Sequence, residues 1–186
     1  MRILFQLFGF RDKALQEPAQ ALYAAAVTQA RQEPFYTVVG VPDTLEARIE
    51  LVMCHVHLIL RRLKREGAAC ATLSQYVFDE MFQDLDRNLR ASGVSDIKIG
   101  RKMKKLGRAF FGRIAAYDSG LDSADAVVLA DAIDRNIFEG IEAPAGAPQS
   151  LAAYLMRSDQ TLRGQELADL QSGKVQFPNV SPDEAV

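Results

Sequence analysis

Two histidines, two cysteines and a run of carboxylates are the residues that could be recruited for catalysis or metal binding. His55 and His57 are the chain's two histidines, set two residues apart in a long apolar stretch. On a helix that separation is about 200° around the axis, so the imidazoles leave opposite faces and cannot converge on one ion without a third element. No Glu-x-x-His or His-Glu-x-x-His pattern accompanies them. The expected role is hydrogen bonding between packed helices; burial of His57 requires a partner, and lining a pocket is the other use open to it. Cys54 and Cys70 fall outside any Cys-x-x-Cys spacing. Two such cysteines make no disulfide framework and fit a reducing compartment as small buried hydrophobes. Asp79, Glu80, Asp84 and Asp86 cluster on one helix and could bind a cation, although carboxylates facing solvent along a helix are far commoner. Neither a Gly-x-Ser-x-Gly elbow nor a phosphate-cradling glycine loop occurs. These residues predict no catalytic residue, no metal site and no cofactor, and hence a binding protein, not an enzyme.

The elements that position them are helices. A chain of 186 residues, 48% hydrophobic and 25% charged, fits one well-buried core. The spacing predicts an all-α, single-domain bundle of about six helices. Residues 1–13 form a short apolar segment, 14–172 the helical domain with a linker near 141–149, and 173–186 an extended tail. Helices are expected at Ala14 to Arg31, then from an N-cap at Asp43, with Glu46 three residues on, to Glu66. Others follow at Thr72 to Ala91, Ser95 or Asp96 to Tyr117 with closure at Ser119-Gly120, Asp122 (as cap) to Phe138, and Ser150 to Leu170. Residues 33–42, with two prolines and a glycine, are expected as an ordered loop. Leu51–Leu60 is apolar on all sides and predicts a central, surrounded helix, whose Arg61, Arg62, Lys64 and Arg65 suit a helix C-terminus. The apolar part of segment 1–13 is interrupted by Gln6 and lacks a small-residue cleavage site, so secretion is not expected. Packing onto the core or dipping into a membrane surface are its two open roles. No apolar stretch reaches the ~18 residues of a transmembrane helix.

The fourth long helix carries the most information. Winding it at about 100° per residue gathers Lys98, Arg101, Lys102, Lys104, Lys105, Arg108 and Arg113 within roughly half its circumference. Met103, Leu106, Phe110, Ile114 and Tyr117 fall opposite. No acidic residue occurs between Ile97 and Tyr117. With a net charge of −2 the whole chain is no polyanion binder, so any such attraction is local. The counterpart of so many uninterrupted cations is carboxylates of the same protein, a partner protein, RNA, or anionic lipid.

Several long strings resemble the ubiquinol–cytochrome c chaperone family. They include Ala21-Leu-Tyr-Ala-Ala-Ala-Val-Thr-Gln-Ala-Arg31, Phe35-Tyr36 and Gly40-Val-Pro-Asp-Thr-Leu-Glu-Ala-Arg48. His57-Leu58, Leu60-Arg-Arg-Leu63, Phe78-Asp-Glu-Met-Phe82, Asp84-Leu-Asp-Arg-Asn-Leu89 and Gly93-Val94 follow. Ile99-Gly-Arg-Lys-Met-Lys-Lys-Leu106 and Phe111-Gly-Arg-Ile-Ala-Ala-Tyr-Asp118 complete a resemblance covering about residues 15 to 140 and, more weakly, the last helix. It implies an all-α assembly factor for cytochrome b of the respiratory bc1 complex, working with a small partner protein near the ribosome. Because the resemblance begins close to Met1, without a mitochondrial transit segment, the expected form is bacterial and cytoplasmic, with peripheral contact at the inner membrane. A client chaperone needs apolar surface and a docking charge. Under this resemblance Lys98, Arg101, Lys102, Lys104, Lys105 and Arg108 are expected to dock, and Phe35, Tyr36, His57, Phe78, Phe82, Phe111 and Tyr117 to line a client groove.

Two other classes remain open from the residues. A small-molecule or lipid-binding helical domain would show a deep apolar pocket containing His57 and carboxylates. A nucleic-acid binder would use the basic helix, but no recognition motif accompanies it.

Overall fold

The computed structural model describes residues 13–93 and 95–180. The apolar segment at 1–12, Val94 of the Gly93-Val94 string and the tail end at 181–186 lie outside them. Six long helices form the body: α1 (Lys13–Ala30), α3 (Leu45–Lys64), α4 (Ala71–Ala91), α5 (Asp96–Ser123), α6 (Ala126–Ile137) and α7 (Ala147–Arg163). Two short ones, α2 (Pro34–Thr37) and α8 (Leu167–Gln171), and a 3₁₀ turn at Gly67–Cys70 complete the described residues, which contain no strand. The all-α bundle of about six helices is therefore the architecture found.

α3 is the hub. It packs on α1, α4, α6 and α7, and Leu51, Met53, Cys54, Val56, Leu58, Ile59 and Leu63 are all buried. An all-round apolar surface can be covered only by neighbours on every side, and that requirement sets the bundle.

Several boundaries differ from the sequence expectation, each for a local reason. The cap of α3 is Thr44, whose hydroxyl accepts from Ala47 N at 3.2 Å. Asp43 instead pairs with Arg48 at 2.6 Å. Within the expected loop at 33–42, Pro34 starts the single turn α2, since its fixed φ and missing N–H suit a first turn. α5 does not close at Gly120 but continues to Ser123. A Cβ at Gly120 would sit 2.7 Å from the Leu129 Cβ, so this glycine is the contact point of α5 with α6. Asp125, not Asp122, caps α6 by accepting from Val127 N at 2.9 Å and Val128 N at 3.1 Å. Pro148 lies inside the first turn of α7, and the expected last helix is broken after Arg163 into α7 and α8.

The chain from Lys174 to Val180 is non-helical and lays Val175, Phe177 and Val180 on the core. Phe177 meets the His55 ring edge-on, with centroids 5.0 Å apart. Gly173 permits the crossing: its φ is +86°, and a Cβ would approach Pro18 Cα to 3.0 Å. Among the described residues no helix is long and apolar enough to cross a membrane.

Candidate functional site

α5 touches the rest of the molecule through one flank and presents the other to solvent. Ile99, Phe110 and Tyr117 are buried, with Met103, Leu106 and Ile114 packed against the core. Gly107 faces α4 here, its would-be Cβ lying in ordinary van der Waals contact, 3.7 Å from the Phe82 ring. Phe78 and Phe82 of α4 and Phe110 and Phe111 of α5 then form one aromatic cluster. Centroid separations are 4.6 Å for Phe78–Phe82, 5.6 Å for Phe78–Phe110 and 5.7 Å for Phe78–Phe111. Phe110 anchors the cluster in the core, whereas Phe111 is 59% exposed. Phe78 also walls an open, largely apolar hollow of about 430 Å³ with Leu60 and Lys64 of α3, Gly67, and Ala71 and Ser74 of α4.

Beside this surface lie the cations. Lys98, Arg101, Lys102, Lys104, Lys105 and Arg108 are all exposed, and none of the six forms an ion pair among the described residues. The α4 carboxylates do not neutralise them. Asp79 accepts from Gln75 at 2.8 Å, Asp84 from Tyr23 at 2.9 Å and Arg87 at 3.1 Å, and Asp86 from Arg90 at 2.6 Å. Glu80 is buried. Arg113, the seventh cation of the run, behaves differently: it is largely buried, 2.5 Å from Glu50.

A polar lock centred on a buried arginine fastens the far end of α5. Arg61 of α3, 8% exposed, reaches Asp118 at 2.7 Å and Asp122 at 2.6 Å on α5, and Asp159 of α7 at 3.1 Å. His57 Nε2 lies 2.9 Å from the same Asp118 oxygen, and Arg163 pairs with Asp159. Burial works against ionisation of Asp118, but hydrogen bonds and charge from His57 and Arg61 outweigh it and hold the carboxyl below its ordinary range. Arg62 similarly donates to the carbonyl oxygens of Leu162 at 2.9 Å and Gln165 at 3.1 Å. Arg61 and Arg62 are thus cross-links of three helices, not merely cations suited to a helix end.

The predicted groove residues separate into three places. Phe78, Phe82 and Phe111 are brought together at the surface. Phe35 is wholly buried against Tyr154 and His55, at 4.9 and 5.5 Å between centroids. Tyr36 is half-buried, donates to the Ala30 carbonyl at 2.9 Å and lies under the Arg48 guanidinium. His57 and Tyr117 stack at 6.2 Å inside the bundle, beside the polar lock. Phe35, His57 and Tyr117 therefore belong to the interior, because the same large rings that suit a groove also fill a core. The deep pocket that a ligand-binding domain would need around His57 is instead an ion-paired cluster. The hollow lies elsewhere, with no carboxylate among its lining residues. Among the described residues no three His, Cys, Asp or Glu side chains are grouped to hold a metal ion.

The sequence model of the ubiquinol-cytochrome C chaperone family matches residues 37–177. The chain belongs to that family. The match starts later than the strings at 21–36 implied and extends through α7 and α8. Relatives are described as assembly factors of the ubiquinol–cytochrome c reductase complex. The chain is 27% identical to ubiquinol-cytochrome-c reductase complex assembly factor 1 of Xenopus laevis over 84% of its own length and 78% of that protein's. It is 25% identical to the Mus musculus factor over 86% of its own length, but spans only 54% of the mouse protein. It resembles the crystal structure of the Cbp3 homolog from Brucella abortus at 37% identity and a TM-score of 0.82, covering 94% of each chain.

Within this chaperone fold, sequence reasoning missed Arg61 and Glu50 as buried partners. A signal for Arg61 was available: it directly follows the apolar run Leu58–Leu60 and precedes Leu63, on a helix whose middle is apolar on all sides. Glu50 had a similar one, next to Leu51 and one turn before Cys54. Burial pushes the Glu50 carboxyl up to about 7, with Arg113 opposing the rise and Glu139 adding to it. Burial likewise pushes the Cys54 thiol up to about 12, so it is no nucleophile.

Proposed function

We propose that this chain is an assembly chaperone for cytochrome b of the ubiquinol–cytochrome c reductase complex. It holds apolar client segments on the Phe78–Phe82–Phe111 surface and docks through the basic face of α5. The observation that carries the reading is the aromatic cluster of α4 and α5, which ends in a solvent-facing ring beside an open apolar hollow. Rings that served packing alone would be covered, whereas a contiguous exposed apolar patch suits a protein partner with apolar surface. The family assignment supplies the process, and a client rich in apolar helix suits the surface. The six uncompensated cations suit an anionic counterpart such as the ribosome, an acidic partner protein or lipid headgroups. This reading needs no reaction and no cofactor.

A photo-crosslinking residue at Phe111, in cells making the complex, is expected to capture cytochrome b. The same residue at Tyr36, which contacts Ala30 and Arg48 and not the aromatic cluster, should capture far less. Normal assembly of the complex with no adduct at Phe111 would end the client-surface proposal.

A further inference from the structure

The solvent-facing flank of α5 is not purely basic. On a wheel of about 100° per residue, Lys98, Lys102, Lys105, Arg101, Arg108 and Lys104 cover about 160°. Ile97 projects inside the same arc, between Lys104 and Arg108, and Phe111 lies at its edge. Both are open to solvent, Ile97 at 77% and Phe111 at 59%. Between Ile97 and Phe111 the helix rises ~21 Å, so the patch is long enough to lie along a surface. Asp86 and Asp96 are engaged by Arg90, at 2.6 and 2.5 Å, and among the described residues pair with none of the six cations. Gly100 and Gly112 are also exposed and small, leaving the cations free to reach outward.

Cations interleaved with exposed apolar side chains distinguish among the anionic counterparts. A nucleic acid would satisfy the lysines and arginines through its phosphates but would leave Ile97 with nothing apolar to bury against. A headgroup layer accepts both: phosphates meet the cations, while Ile97 and Phe111 enter the boundary of the acyl chains. We infer that the face of α5 from Ile97 to Phe111 docks this protein peripherally on an anionic phospholipid bilayer. This rests on the chaperone reading above only in naming the counterpart of its docking face. Phe111 belongs to both surfaces, so docking brings the aromatic cluster to the membrane plane, where an apolar client segment lies.

The test is flotation of the full chain, without client, with vesicles of phosphatidylcholine alone and of equal parts phosphatidylcholine and phosphatidylglycerol. Binding is expected to the mixed vesicles only, and to weaken as salt is raised. Reversing Lys102, Lys104 and Lys105 to Glu should lower binding by at least about tenfold. Ile97→Ser should lower it by about tenfold with the salt dependence unchanged. Should the triple reversal fail to fold, Lys104→Ala combined with Arg108→Ala carries the same expectation. The inference is overturned by absence of binding to mixed vesicles, by equal binding to neutral ones, or by Ile97→Ser binding as the parent does. Binding to single-stranded RNA in place of vesicles would equally overturn it. Failure here with cytochrome b still captured at Phe111 would remove the bilayer and leave the chaperone reading; the converse would remove the client surface and leave the docking face.

Discussion

α5 carries two stretches of charge that the fold treats in opposite ways. Towards its C-terminus, Asp118 and Asp122 converge on Arg61, which also holds Asp159, so α3, α5 and α7 are tied at one point. Towards its N-terminus, Lys98 to Arg108 face solvent with no ion-pair partner among the described residues. Buried charge is tolerated only when paired, and pairing fixes where each helix sits. Exposed charge has no such obligation and is free for a counterpart outside the molecule. The half of the helix that cannot choose its partners sets the position of the half that can.

The comparison breaks most visibly at Arg61. Arg61→Met would keep the stem volume and strip the guanidinium from three carboxylates, one of them, Asp159, even more buried than Arg61 itself. A loss of roughly 3–5 kcal/mol is expected, measured by urea unfolding. The matching change on the other half, Lys102, Lys104 and Lys105 to Glu, should leave stability within about 0.5 kcal/mol per site. A comparable loss from both would mean that the basic face is tied into the fold, and the contrast between the halves would fail.

Between the two extremes lies Arg113, a basic-run residue drawn inward to Glu50. Burial holds the Glu50 carboxyl protonated to about pH 7, well above its ordinary 4.5. The folded state therefore binds more protons than the unfolded one between those values, and this group's contribution falls as pH rises from about 4.5 to about 7. His55 works the other way: burial lowers it from 6.5 to about 4, so its contribution falls as pH drops through that window. Glu50→Gln isolates the first effect. The difference in unfolding free energy between parent and variant should shift by on the order of 2–3 kcal/mol between pH 4.5 and 7.5, the parent losing ground at the higher pH. A constant difference across that range would show that Arg113 keeps Glu50 ionised throughout.

Periodicity made the bundle legible because each helix buries a stripe, and a stripe is written in the spacing of its apolar residues. The exposure of the six cations was legible for the same reason, as the complement of the stripe Ile99, Met103, Leu106, Phe110, Ile114 and Tyr117. What spacing cannot encode is which distant segment covers a given ring. Phe35 and Phe111 are the same residue type with turn-like or helical neighbours, yet Tyr154 and His55 cover one, whereas the other meets Phe78 and stays 59% exposed. Boundaries failed where a residue's usual meaning was overruled by contact. Gly120 reads as a stop, but Leu129 requires it as a close approach inside a continuing helix. Asp122 reads as a cap, but Arg61 claims it.

That continuation past Gly120 ends in the smallest effect expected here. Ala124 closes α5 in the left-handed region, with φ 53° and ψ 34°, and its N–H bonds back to the Gly120 carbonyl. A non-glycine residue pays roughly 1 kcal/mol for that conformation through the clash of its Cβ with the backbone. Ala124→Gly removes the clash but gives the unfolded chain more freedom, so the net gain is about 0.5 kcal/mol or a rise in Tm of ~1–2 °C. Because the change lies beyond the Arg61 lock and far along α5 from Lys98, vesicle binding should be unaltered. A gain in stability accompanied by altered docking would show that the two halves of α5 are coupled, and that the lock does more than hold the helix in place.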